Sequence, residues 1–199
     1  MGEIEITLGG DVINSNYRFF LAENLQANRL ESLLNLIRDV EMNDGYPPST
    51  QLQRNESAED YFIKRRSVFR IFALSGRNNQ GFHLDGELAG HVSGDPVIQG
   101  HEAESKWIDA VGATDVSQLI EVGTLLVRPS DRNRRLSIDL IRLAVDRIVA
   151  SGHYAVAATA IDNVKALRAL VTSGFHEVAI LNDKKGLPFR YLVFSNKLR

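Results

Sequence analysis

The chain has 199 residues, 44% of them hydrophobic, and a formal net charge of −2. That length fits one domain spanning 1–199 with enough apolar content for a core, and the balanced charge supplies no global basic field for nucleic acid or an anionic membrane. Cysteine is absent, which excludes disulfides, thiolate metal ligands and cysteine nucleophiles.

The amino terminus, Met1 to Gly10, carries acidic residues without an apolar run and does not read as a signal peptide. Tyr17-Arg18-Phe19-Phe20-Leu21 is a β-prone run, the expected first strand. Leu30, Leu33, Leu34, Ile37 and Val40 recur at three- and four-residue steps, which predicts an amphipathic helix. Asn43-Asp44-Gly45 and Pro47-Pro48 end it. Ser57 caps a second expected helix whose stripe runs through Tyr61, Phe62, Val68, Phe69 and Phe72 to a stop at Gly76. The alternative is a break near Ser67 with Val68 to Leu74 as a strand. Phe82 to Gly90 reads as a hairpin turning at Asp85-Gly86, a dipeptide suited to positive φ. Asp95 to Ser117 is then expected as a long connection, which is uncommon inside a compact domain and often functional.

The remainder is more regular. The pattern predicts strand 119–127, helix 132–150, strand 154–161, helix 163–173, strand 175–181, a turn at 182–186 and strand 189–195. In the long helix, Leu136, Leu140, Ile141, Ala144, Ile148 and Val149 are expected to form one face. Strict alternation along 119–127 puts Glu121, Gly123, Leu125 and Val127 on one side and Ile120, Val122, Thr124 and Leu126 on the other. No window approaches the ~18 apolar residues of a membrane helix, and the expected location is the cytoplasm. The histidines show no metal-binding spacing, so no metal is expected. His91 is read first as a hydrogen-bonded structural histidine, the alternative being a place facing the acceptor pocket.

The segment Leu125-Leu126-Val127-Arg128-Pro129-Ser130-Asp131-Arg132-Asn133-Arg134-Arg135-Leu136-Ser137 resembles the acyl-CoA-binding segment of the GNAT superfamily of N-acetyltransferases. There a strand ending in Val-x-Pro leads to Arg/Gln-x-x-Gly-x-Gly/Ala and a helix. Asn163, followed by Ala166, Leu167 and Gly174-Phe175, is similar to that family's second conserved block. The resemblance implies an α/β fold with a mixed, mostly antiparallel twisted sheet and helices on both faces. It also implies that strands 119–127 and 154–161 splay to admit a pantetheine arm. The implied reaction is direct transfer of an acyl group from acetyl-CoA or another acyl-CoA to a primary amine of a small molecule or peptide.

On that resemblance, Arg132, Arg134, Arg135, Leu136 and Ser137 surround the pyrophosphate, because a helix amino terminus offers unpaired N–H groups and partial positive charge. Asn163 contacts the pantetheine arm or caps the next helix, roles that are compatible. The backbone N–H of Leu126 or Val127 stabilises the oxyanion, and Glu121 is the base that deprotonates the acceptor ammonium. Two positions depart from the family. Arg135 and Ser137 stand where it has glycines; serine is small and can donate a hydrogen bond, while Arg135 must swing outward or turn its guanidinium to a phosphate. Leu170 stands where the family often has a proton-donating tyrosine, leaving Thr172, Ser173, Tyr191 or solvent to protonate the thiolate. The altered turn is also similar to acyl-homoserine-lactone and N-acyl amino acid synthases, which take acyl chains from acyl carrier protein. Arg128 to Arg135 would then be a docking surface. A module that binds acyl thioesters without turnover is the third reading, and a homodimer is compatible with each.

Overall fold

The computed structural model describes residues 4–6, 17–22, 32–37, 39–40, 67–78 and 81–195. In chain order the elements are β1 (Ile4–Ile6), β2 (Tyr17–Ala22), β3 (Phe69–Asn78), β4 (Gly81–Pro96), α1 (Glu104–Val111), β5 (Leu119–Val127), α2 (Leu136–Ala150), β6 (Tyr154–Ala160), α3 (Val164–Thr172), β7 (Phe175–Asn182) and β8 (Pro188–Phe194). Residues 32–37 and 39–40 are also helical. The strands form one eight-stranded mixed sheet in the order β1-β2-β3-β4-β5-β6-β8-β7. Every neighbouring pair is antiparallel except β5–β6, which are parallel because α2 carries the chain back over the sheet.

Each face of the sheet is covered differently. On one face, Phe19, Phe69, Ile71, Ala89, Val92, Ile120 and Val122 pack beneath Leu140, Ile141, Ala144 and Ile148 of α2 and Leu170 of α3. This is a continuous apolar core. Gly90 permits the close approach of α2: a Cβ there would lie 2.8 Å from Leu140 Cδ1 and 3.1 Å from the Leu126 carbonyl. On the opposite face two separate clusters form. Leu33, Leu36, Ile37 and Val40 of the early helical residues sit on Phe20, Phe72, Leu74, Leu88 and Leu126. Farther along, Trp107 of α1 packs on Leu119, Val156, Tyr191 and Val193. The middle of that face, between the two helical covers, is polar.

Several expectations change. The stripe through Phe69 and Phe72 belongs to a strand, so the break near Ser67 holds; residues 57–66 lie outside the described ones. The expected hairpin over 82–90 does not form: those residues belong to one strand, and β3 and β4 pair as far as Asn78↔Gly81. Asp85-Gly86 therefore lies within β4, because the pairing with β3, and not the local turn preference of the dipeptide, sets where the chain reverses. The expected connection 95–117 contains the end of β4, the helix α1 and a short 3-10 turn at Val116–Gln118. Trp107, fully buried, is the apolar anchor that makes α1 worth forming, and Gly112 ends it at φ +72°. Helix α2 begins at Leu136 rather than 132, since Asn133 and Arg135 both take φ +64° and left-handed residues cannot continue a right-handed helix. Val149 is 43% exposed, while Leu143 and Val145 join the buried face.

Candidate acyl-transfer site

The two parallel strands part early. β5 and β6 pair only at Leu119↔Tyr154, Ile120↔Ala155 and Glu121↔Val156. From Val122 onward β5 pairs with β4 alone, and from Ala157 onward β6 pairs with β8 alone. The result is a V-shaped opening in the sheet with backbone edges on both sides.

A bulge shapes the β5 side of that opening. Between His91↔Leu126 and Ser93↔Gly123, β5 carries one residue more than β4, and Thr124 takes φ +42°. An extra residue reverses the side-chain phase of everything after it. Leu125 and Val127 consequently pack against the α2-face core with Ile120 and Val122, while Leu126 faces the opposite side. Simple alternation placed Leu125 and Val127 with Glu121, and the bulge corrects this. Arg128 N–H donates to the Ala89 carbonyl at 2.8 Å, so the antiparallel ladder directs Leu126 N–H at β4 and Val127 N–H toward the opening. Of the two candidate oxyanion donors, only Val127 is oriented for it.

Underneath the bulge lies His91. It is fully buried, and its Nδ1–H donates to the Thr124 carbonyl at 3.1 Å, a direction set by the carbonyl being acceptor only. Burial, reinforced by the positive charge of Arg70, lowers its pKa to about 3, so the ring is neutral. His91 is thus a structural histidine, as expected, but one that holds the bulge.

The polar middle of the opposite face follows from register. Arg70 pairs with Ser93, Phe72 with His91, Ser93 with Gly123 and Asp95 with Glu121. Arg70, Ser93 and Asp95 are all buried, and Ser93 Oγ donates to Asp95 Oδ2 at 3.1 Å. Glu121, half-buried, stands at the point where β5 and β6 separate. The fully buried Tyr191 donates from its hydroxyl to Glu102 Oε1 at 3.3 Å. Burial first, then the charges of Glu102, Asp183 and Glu121, pushes the phenol above its ordinary range. Tyr191 therefore keeps its proton, directed at Glu102. Sequence reasoning missed Arg70, Ser93 and Asp95. The available signal was polar residues at every second position, His91-x-Ser93-x-Asp95, alternating with Val92 and Gly94.

At the far end of β5 the chain enters α2 through a tight turn. Pro129–Asp131 forms one 3-10 turn, and the left-handed Asn133 and Arg135 follow. Such alternating turns direct successive backbone N–H groups into a concavity suited to an anion. The Arg135 side chain is exposed, so it swings outward. Its positive φ explains why a glycine suits this position. Arg132 folds back, donating from Nε to the Val127 carbonyl at 3.3 Å. Arg134 is exposed and Ser137 half-buried, while Leu136 is a core residue, 1% exposed. Asn163 caps α3, its Oδ1 accepting from Ala166 N–H at 3.2 Å. Leu170 is buried in the α2-face core. Ser173 donates to the Ala169 carbonyl at 2.8 Å and is occupied there. A cleft of about 290 Å³, lined by Ser32, Asn35, Asp39, Glu87, Leu88 and Arg128 among others, adjoins the turn on the opposite face. Among the described residues no cluster of three His, Asp or Glu is arranged to hold a metal, and no helix is long and apolar enough to cross a membrane.

Neither a protein-family model nor a curated protein matches the sequence. Solved structures do match the fold. A GNAT-family acetyltransferase from Bordetella pertussis superposes with a TM-score of 0.57 at 13% identity, covering 96% of this chain and 99% of that one. An aminoglycoside N-acetyltransferase gives 0.57 at 14% identity, covering 90% and 97%. The ribosomal-protein-S18-alanine N-acetyltransferase of Escherichia coli gives 0.50 at 11% identity, covering 91% and 99%. The chain has the GNAT fold.

Proposed function

We propose that the protein is an N-acyltransferase, a single domain over 1–199, that moves an acyl group from acyl-CoA, acetyl-CoA foremost, to the primary amine of a small molecule or peptide. The observation that carries this reading is the V between β5 and β6, which leads from Glu121 toward the concave turn at the start of α2. A pantetheine arm laid in that opening finds backbone edges to bond with. Its pyrophosphate would meet the turn 132–137, where helix-terminal N–H groups and the exposed Arg134 and Arg135 favour negative charge. Asn163, at the end of β6, lies on the other edge of the opening.

The chemistry needs a neutral amine. Glu121 takes a proton from the acceptor ammonium, directly or through water. The amine nitrogen attacks the thioester carbonyl, forming the C–N bond, and Val127 N–H stabilises the oxyanion. The nitrogen, positively charged after attack, loses one of its two remaining protons to water, and collapse breaks the C–S bond with the sulfur leaving as thiolate. Leu170 has no proton to give and Tyr191 holds its own against Glu102, so the thiolate takes its proton from water. A second reading, an acyl carrier protein as donor, is favoured by the exposure of Arg134 and Arg135, which would form its docking surface.

Thiol release from acetyl-CoA over an amine panel, with acyl carrier protein thioesters as a parallel arm, tests the function. Glu121→Gln should lower turnover by ~10²-fold with little change in donor affinity, and should remove the acid limb of the pH–rate profile. Unchanged turnover and an unchanged pH profile would remove Glu121 from the mechanism.

A further inference from the structure

We propose that Asp131 is a positioning residue for the acyl donor, holding the turn between β5 and α2 in its binding shape; this rests on the reading that the turn receives coenzyme A. An acid just before an arginine-rich turn is expected to be solvated. Asp131 is instead 3% exposed. Its Oδ1 accepts from the Tyr17 hydroxyl at 2.8 Å and pairs more loosely with Arg134 at 3.9 Å. Its Oδ2 accepts from Arg128 Nε at 2.6 Å and from Ser130 Oγ at 3.1 Å. Arg128 continues the chain of bonds, donating from its other nitrogens to Glu87 and to Ser75 Oγ, the latter at 2.7 Å.

Through one carboxylate the turn is therefore bonded to β2, and through Arg128 to β3 and β4. That anchoring answers a need of the turn itself. Asn133 and Arg135 are left-handed without being glycines, and strained backbone persists only where its surroundings over-determine it. A negative charge beside a phosphate site would oppose binding if it acted by attraction. Here Arg128 and Arg134 both face it, and the contribution of Asp131 is geometric. Burial alone would raise its pKa, but the bonds from Arg128, Tyr17 and Ser130 hold it below the ordinary carboxylate value, so it stays ionised and keeps all three donors engaged.

The test uses the full chain and coenzyme A itself. Asp131→Asn keeps the size but weakens the grip on Arg128. It should loosen coenzyme A binding by more than about tenfold, with KM for acetyl-CoA rising alike and kcat at saturating donor within about twofold. Tyr17→Phe removes only the hydroxyl donor and should shift both in the same direction by about threefold. Val145→Ala, a buried substitution on α2 away from the turn, is the stability control and should leave KM unchanged. If the wild type binds coenzyme A and both turn variants bind it equally well, the proposal fails while the donor site stands. An equal KM rise in Val145→Ala also overturns it, since the effect would then be general destabilisation. If the wild type binds no coenzyme A, the donor reading falls and the proposal with it. Should Asp131→Asn not fold, Tyr17→Phe decides.

Discussion

The two faces of the sheet are built on opposite principles. Under α2 and α3 the residues are apolar and continuous, from Phe19 across to Leu192. On the other side, the early helical residues and α1 cover separate apolar clusters. Between them lie Arg70, His91, Ser93, Asp95 and Glu121. Buried polar groups contribute little net stability and cost much if left unsatisfied. Their concentration on one face, at the point where β5 and β6 part, argues that the α2 face holds the fold and makes the other face the candidate for the chemistry.

The sharpest way to break that contrast is through packing. Leu140 is fully buried beneath Gly90, so Leu140→Ala should cost about 2–5 kcal/mol, read from denaturant unfolding. A loss below about 1 kcal/mol would mean that the α2 face is not where the stability resides.

The polar face should instead register in pH dependence. His91 has a folded pKa of about 3, against about 6.5 when unfolded. A buried neutral base stabilises fully above the unfolded value, and that stability is lost as pH falls from 6.5 toward 3. Arg70, Ser93 and Asp95 are the charged and polar groups that share its face. Between pH 7 and pH 5 the wild type should lose about 2 kcal/mol more than His91→Gln, which can still donate to the Thr124 carbonyl. Equal losses in urea unfolding at the two pH values would show that His91 is not held neutral.

How much of this was legible beforehand differs by region. From residue 119 onward, apolar period and turn residues agree, and the expected elements match the observed ones to within a few residues. Two features escaped even there. The bulge at Thr124 has no sequence marker, because threonine is an ordinary strand residue, yet it moves Leu125, Leu126 and Val127 to the opposite faces. Asp131 is buried and bonded to Tyr17, distant in sequence, a contact that no local pattern displays. Before residue 119 the register of β3 with β4 decided the outcome, and register is a pairing property that no single strand displays. The polar strip of Arg70, Ser93, Asp95 and Glu121 comes from three strands, so it exists only once they align.

The central claim is that an acyl donor's pyrophosphate lies at the start of α2. Arg134 and Arg135 are exposed there and carry no part of the core. Titrating coenzyme A calorimetrically into the wild type and into Arg134→Glu/Arg135→Glu tests the claim most directly. The account predicts more than tenfold weaker binding, ~1.4 kcal/mol, with the gap widening at low salt. Equal affinities for the two proteins, with the fold intact, would contradict it.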